Sequence, residues 1–147
     1  MEIAILGLGC FWGPEVKFSK LNGIVKTEVG YCGGNNSTTT YNEVCSGSTN
    51  HAEVVKLDFD PKIISYENII KFFYEIHDPT TLNSQGPDFG TQYRSEIFYL
   101  NDYQKKIAEK ITKDENTKLS EKVVTKISLV KNYCPAEEHH QKYLEKR

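Results

Sequence analysis

The chain has 147 residues, of which 38% are hydrophobic and 26% charged, and its 18 basic and 20 acidic side chains give a net charge of -2. This length predicts one domain, residues 1–147, with a core that needs no disulfide framework or structural metal. The balanced charge and the lack of a long apolar run exclude an electrostatic nucleic-acid binder and a membrane span, so we expect a soluble globular protein.

The first half of the chain begins with a short apolar strand over residues 1–6, which ends in a glycine-rich turn. This N-terminus lacks the basic and long apolar segments of a secretion signal, so a cytoplasmic location is expected. Helical spacing of apolar residues predicts a helix over 11–21, and alternation predicts a strand over 24–31. Residues 33–40 form a polar loop that either is ordered by another group or stays mobile, and residues 52–59 follow as a strand.

The sequence of the second half predicts three helices, two strands and one long loop. In chain order these are a helix at 65–76, a loop at 77–90, a strand at 93–100, a helix at 102–113, a strand at 123–130 and a helix at 135–145. The order β-α-β-β-α-β-α-β-α predicts an α+β fold, with a mixed sheet, a split βαβ (ferredoxin-like) core and flanking helices. No long amphipathic stripe remains, so a monomer is expected.

Cys10 stands between a Gly7-Leu8-Gly9 turn and the first predicted helix. Backbone N–H groups and the positive end of the helix dipole would favour its thiolate form. A cysteine at a strand end can also be a small buried hydrophobe. The adjacent Phe11 and Trp12 favour a reactive site, since two large aromatic faces at a turn are unusual for core packing alone.

Four polar side chains occupy positions where a site could be built. Glu53 lies at the start of an apolar strand, either facing inward, where burial would raise its pKa, or on a solvated face. Asp88 and Tyr93 lie where the long loop joins the scaffold, and Tyr41 ends the polar loop. Each tyrosine is weak evidence by itself because the chain contains nine.

No cofactor or metal site is predicted. The glycines at positions 7, 9 and 13 have the wrong spacing for a dinucleotide-binding turn. The cysteines and histidines do not form a C-x-x-C pair or an H-x₃-H pair, so zinc is not expected; the residues considered were Cys10, Cys32, Cys45, Cys134, His139 and His140.

Six blocks in the chain resemble, in order, the conserved segments of A-type peptide-methionine sulfoxide reductases. They are residues 9–15 (GCFWGPE), 30–34 (GYCGG), 41–47 (YNEVCSG), 51–55 (HAEVV), 90–95 (GTQYRS) and 135–141 (PAEEHHQ). The first block resembles the family's GCFWG-x-E signature. The resemblance spans nearly the whole chain and implies an enzyme that reduces the S epimer of methionine sulfoxide, free or in peptides.

The resemblance also implies roles for individual residues. Cys10 would attack the sulfoxide sulfur and become a sulfenic acid, while Phe11 and Trp12 would hold the S-methyl group. The sulfoxide oxygen would be surrounded by Glu53, Tyr41 and Tyr93. Asp88 would be a further polar position in the site. A buried acid and two phenols suit an oxygen that leaves only when protonated.

The recycling step departs from the family's commonest pattern, in which a tail after the last block carries one or two cysteines. Here no cysteine follows Cys134, so the resolving thiol could be Cys32, Cys45, Cys134 or none. An external reductant such as thioredoxin, glutaredoxin or a small thiol is expected. Some relatives carry selenocysteine at the nucleophile position, and the sequence leaves open whether Cys10 replaces one. A non-enzymatic thiol or metal-binding module on the same scaffold is the alternative function.

Overall fold

The structure, a computed structural model, describes residues 1–146, and in that range the chain forms eight strands and four α-helices. The strands are β1 (Glu2–Leu8), β2 (Ile24–Cys32), β3 (Ala52–Phe59), β4 (Ser84–Gln85), β5 (Asp88–Phe89), β6 (Ser95–Tyr99), β7 (Lys126–Leu129) and β8 (Cys134–Pro135). The helices are α1 (Trp12–Ser19), α2 (Tyr41–Cys45), α3 (Tyr66–Glu75) and α4 (Asp102–Lys118). No helix within residues 1–146 has both the length and the apolar character to cross a membrane.

Six strands form one mixed sheet in the order β7-β6-β1-β3-β2-β8, in which only the β6–β7 pair is parallel. Both β1 and β2 run antiparallel to β3, which lies between them. The β1-α1-β2 unit is therefore a split βαβ, and β3-α3-β6 forms a second one around β1. The predicted α+β fold with a ferredoxin-like core is confirmed.

Strand alternation gives the sheet two apolar faces. The larger face packs under the helices and includes the fully buried Leu6, Val55 and Leu57. The opposite face carries a smaller cluster around Val54 and Phe98. Because side chains alternate between the two faces, only every second residue of a strand points towards the helices.

The predicted helix over residues 135–145 is wrong. Cys134–Pro135 pairs with β2 instead, and Glu138–His140 forms a single 3-10 turn. The Gln141 side chain explains the difference: its amide oxygen accepts from the Val29 N–H at 2.9 Å, and its amide nitrogen donates to the Val29 carbonyl at 2.8 Å. Tertiary bonds of this kind override a local preference for helix, because they require an extended path along the sheet edge.

Other boundaries also differ from prediction. Helix α1 is shorter than predicted, ending at Ser19, whereas α4 continues to Lys118. The short helix α2 was missed. The predicted loop over residues 77–90 contains the β4–β5 hairpin.

The polar loop after β2 is held by the buried His51. Its Nδ1 accepts the Gly34 N–H at 3.0 Å, and its Nε2 lies 2.9 Å from the Asn36 carbonyl oxygen. Asn132 adds a bond to the Gly34 carbonyl at 2.9 Å. Burial lowers the pKa of His51, so a neutral imidazole can accept the glycine N–H. Of the two possibilities that the sequence left open, the structure has a loop that other groups order at Gly34 and Asn36.

A buried ion pair ties the segment that carries Tyr93 to the sheet. Arg94 Nε donates to Glu96 Oε1 at 2.6 Å, and both side chains are almost completely covered. The same guanidinium donates to the carbonyls of Thr91 at 2.8 Å and Asn50 at 3.1 Å. It therefore joins the stretch 91–96 to the residue Asn50, which precedes β3, around one charge.

Replacing Arg94 with alanine should lower the free energy of unfolding by about 3–5 kcal/mol, because Glu96 would remain buried without its partner. Urea denaturation measures the change. Lys71→Ala is the matched control, since its ammonium forms a 3.2 Å pair with Glu67 but is 52% exposed. That control should change stability by less than about 1 kcal/mol. Equal losses of unfolding free energy in the two variants would contradict the conclusion that burial makes the Arg94–Glu96 pair important for stability.

Candidate active site

Cys10 lies two residues beyond β1, in a turn that only glycine can make. Gly9 has φ +98°, and a Cβ at this position would lie 2.8 Å from Cγ of Gln85. The β4–β5 hairpin therefore packs directly over the turn. Cys10 itself remains partly exposed.

Sheet register brings Glu53 to Cys10. Because β1 and β3 are antiparallel, the end of β1 lies beside the start of β3, with Leu6 opposite Val55. Glu53 is only 1% exposed, and its Oε1 accepts the Phe11 N–H at 3.3 Å. Its Oε2 is buried and has no partner. The sequence allowed Glu53 to face inward or towards solvent. In the structure it faces inward, and one of its carboxyl oxygens has no hydrogen-bond partner.

Burial controls the protonation of both groups. It raises the pKa of Glu53 to about 8, against the lowering effect of the Phe11 N–H bond, and the Asp88 charge adds to the increase. Burial also raises the pKa of Cys10 to about 11, against the lowering effect of the Trp12 N–H. Burial therefore opposes the thiolate that the helix start favours, because desolvation outweighs the backbone N–H.

Two phenols stand next to this acid. Tyr41 interacts with the phenol of Tyr93 and with the Cys45 thiol. Burial, followed for Tyr93 by the Glu53 charge, raises the pKa of Tyr93 to about 12, and burial also raises the pKa of Tyr41. Both side chains are thus neutral O–H groups near neutral pH and can donate hydrogen bonds.

An aromatic group supports the other side of the site. The Trp12 indole N–H donates to Nδ1 of His140 at 3.2 Å, and its ring stacks on Tyr143 at 3.8 Å between centroids. The His140 ring also packs on Tyr41 at 4.5 Å and on Phe11 at 5.6 Å. Phe11 is 1% exposed, whereas Trp12 remains partly exposed. These contacts fix the indole plane.

The structure brings all the sequence-predicted site residues into one region at the helix side of the sheet. They are Cys10, Phe11, Trp12, Tyr41, Glu53, Asp88 and Tyr93. Sequence reasoning missed the supporting rings of His140 and Tyr143. The signal that could have found His140 was its position in the 135–141 block, where it was considered only as a metal ligand.

The remaining cysteines occupy different surroundings. Cys45 is exposed on α2 beside Tyr41, whereas Cys32 and Cys134 are buried, and all are free thiols. In the described range 1–146, no three His, Cys, Asp or Glu side chains are grouped as metal ligands would be.

A family model described as peptide methionine sulfoxide reductase matches residues 2–147. The chain belongs to the peptide methionine sulfoxide reductase family. A family member from Pelagibacter ubique (strain HTCC1062), named peptide methionine sulfoxide reductase MsrA, is 78% identical over 147 residues, which cover 100% of both chains.

Solved structures of the family share this fold. The reduced form of Mxr1 from Saccharomyces cerevisiae is 43% identical, with a TM-score of 0.95 over 99% of this chain and 85% of that one. Mxr1 in complex with Trx2 is 30% identical, with a TM-score of 0.69 over 97% of this chain and 84% of that one.

The reactivity of Cys10 tests which influence sets its pKa. Iodoacetamide should modify Cys10 with a rate that rises through an inflection near pH 11, because burial disfavours the thiolate. Peptide mass spectrometry over a pH series, with circular dichroism to verify the native fold, measures this rate. Asp88→Asn should lower the inflection because the Asp88 charge contributes to the shift. A plateau reached below the ordinary value of about 8.5 would mean that the helix N-terminus dominates.

Proposed function

We propose that this protein is a thiol-dependent reductase of the S epimer of methionine sulfoxide, free or in peptides. The observation that carries the proposal is the unpartnered, buried Glu53 Oε2 beside the partly exposed Cys10 thiol. The 78% identity to a curated MsrA supports this enzyme over the alternative, a non-enzymatic thiol or metal-binding module.

The net result of the first half-reaction is transfer of the sulfoxide oxygen to the Cys10 sulfur. Cys10–SH and R₂S=O give Cys10–SOH and R₂S, so the substrate sulfur is reduced and the cysteine sulfur oxidised. The sulfur of Cys10 attacks the sulfoxide sulfur first, and the oxygen then transfers as its bond to the substrate breaks. Protonation makes that oxygen able to leave, and Glu53 is placed to supply the proton.

The raised pKa values of Cys10 and Glu53 suit a proton relay. Both groups are protonated in the resting site at neutral pH. Glu53 can donate its proton to the sulfoxide oxygen and accept the Cys10 proton as the sulfur attacks, so no full charge has to persist in a buried place. Tyr41 and Tyr93 donate hydrogen bonds to the same oxygen and stabilise the charge that develops on it.

Epimer selection follows from three distinct binding positions. The S-methyl group would lie against Trp12 and the adjoining Phe11, the oxygen would face Glu53 and the phenols, and the sulfur would face Cys10. In the R epimer the oxygen and the methyl group are exchanged. The oxygen would then lie against an apolar ring and Glu53 would stay unpaired, which is unfavourable. Asp88 remains a further polar position at the rim, where its charge opposes thiolate formation.

Recycling requires an external thiol. The sulfenic acid is a reversible oxidation state that condenses with a second thiol to a disulfide. The crystal structure of the related Mxr1 in complex with Trx2 supports a protein dithiol such as thioredoxin; glutaredoxin or a small thiol would perform the same exchange. A reducing cytoplasm would supply such reductants, and the resulting activity would repair methionine in oxidised proteins during oxidative stress.

The direct test is turnover of the two sulfoxide epimers with dithiothreitol. We expect methionine from the S epimer and none from the R epimer, measured by chromatography of the products. Cys10→Ser should abolish the reaction. Cys32→Ala is the matched thiol control, because Cys32 is buried on the opposite face of the sheet, and it should retain activity. Activity in the Cys10→Ser variant would refute the assignment of the nucleophile.

The role of Glu53 makes a prediction about pH. Because its pKa is raised to about 8, the neutral acid is present below that pH and is lost as the pH rises through it. The rate of the chemical step should fall accordingly. Glu53→Gln should lower kcat by about 10²–10⁴-fold with little change in KM, because the amide keeps a donor but cannot transfer the proton.

Single-turnover rates across pH measure this effect, and the Gln variant should lose the inflection near pH 8. Glu109→Gln, an exposed glutamate on α4, is the control and should match the unmodified protein. Equal losses in kcat and substrate affinity would indicate a binding role for Glu53 instead.

A further inference from the structure

We propose that Cys45 is the resolving thiol of this protein and attacks the Cys10 sulfenic acid to form a Cys10–Cys45 disulfide. This inference rests on the proposed function, since it concerns the step after the first turnover. The geometry that points to it is the packing of α2 against the segment that follows Cys10.

Helix α2 docks directly on that segment. Val44 is buried in one cluster with Phe11, the residue that follows the nucleophile. Tyr41 packs on His140, whose ring also contacts Phe11. Tyr41 and Cys45 are four residues apart, so they lie on the same side of the helix. The phenol that borders the sulfoxide site therefore has the Cys45 thiol next to it.

Electrostatic coupling agrees with this placement. The Cys45 charge is among the groups that raise the pKa of Cys10, after burial, Glu53 and Asp88. It also contributes to the raised pKa of Tyr93 on the far side of the site, after burial and Glu53. The Cys45 sulfur is thus close enough to interact with both the nucleophile and the second phenol.

The other two thiols are held away from Cys10. Cys32 pairs with Ala52 in the sheet and belongs to the core of the face opposite the helices, where its thiol donates to the Lys131 carbonyl at 3.3 Å. Cys134 is buried in β8, with its sulfur 3.9 Å from the Thr39 carbonyl oxygen. Cys32 would reach Cys10 only if strands separated, and strand separation disrupts the most stable part of a fold. Cys134 lies on the edge strand β8, and β2 separates it from β3, the strand that carries Glu53.

Helix α2 can move at lower cost. It has five residues, and Val44 is its one buried side chain. The exposed residues 46–48 follow it, and Gly47 has φ +79°. A disulfide requires Cα atoms about 4.4–6.8 Å apart, so α2 would close on the Cys10 turn as the bond forms. Segments with few buried contacts open and shift most easily.

The resolving step balances without another reactant. Cys10–SOH and Cys45–SH give Cys10–S–S–Cys45 and water, as the S–O bond breaks, the S–S bond forms and the Cys45 proton leaves with the hydroxyl. Cys45 is oxidised and the Cys10 sulfur is reduced. A dithiol reductant then exchanges with the disulfide and restores both thiols. Because Cys45 is the exposed partner, its sulfur is the accessible point of attack.

One turnover without reductant tests the inference. The protein is mixed with the S sulfoxide, and we expect two thiols to be lost for each methionine formed, with a Cys10–Cys45 link in the peptide mass spectrum. Cys45→Ser should lose one thiol and retain a Cys10 sulfenic acid that dimedone traps. Cys32→Ala and Cys134→Ser are matched controls and should form the same Cys10–Cys45 link as the unmodified protein.

The outcomes separate this inference from the proposed function. Two results in the unmodified protein would overturn only the role of Cys45 and leave the proposed function standing. One is methionine formation with a trapped sulfenic acid, and the other is methionine formation with a disulfide from Cys10 to Cys32 or Cys134. No methionine at all would overturn the proposed function and this step with it. Disulfide mapping by peptide mass spectrometry on the unmodified protein identifies the partner of Cys10 even if Cys45→Ser fails to fold. Cys45→Ala provides a second variant.

Discussion

The hydrogen bond from the Phe11 backbone N–H to Glu53 determines how the site is organised. Helix α1 has no side-chain cap, so the carboxyl of a distant strand satisfies an N–H at its start. One carboxyl oxygen is occupied by this structural bond, and the other is left buried and unpaired. The same bond therefore fixes the acid in place and leaves it one free position that a sulfoxide oxygen can fill.

Exclusion of charge is the second constraint. The site has an acid, a thiol and two phenols within a small volume, and burial raises the pKa of each. Such a group resists ionisation of any one member, because an isolated charge in a poorly solvated place is unfavourable. A neutral sulfoxide matches this environment, and protons can pass between groups while the total charge stays constant.

Much of this arrangement could be predicted from sequence, for identifiable reasons. Alternating and helical apolar spacing predicted the split βαβ core, and the Gly9-Cys10 turn with its aromatic neighbours indicated Cys10 as the candidate nucleophile. The raised pKa of Cys10 could not be predicted, because a helix start can be recognised locally whereas desolvation depends on the parts of the fold that cover the thiol. The helix over residues 135–145 failed similarly, since the bonds of Gln141 to Val29 join residues far apart in the chain.

The same Gln141 side chain has a consequence for the solubility of the fold. Strand β2 lies near the margin of the sheet, and β8 pairs only with Gly30 and Tyr31. An open strand margin is a template on which other chains can add and aggregate. The next residue along β2 is Val29, whose N–H donates to the Gln141 amide oxygen and whose carbonyl accepts from both the Gln141 amide nitrogen and the Ala136 N–H. The side chain thus completes the protection that β8 begins.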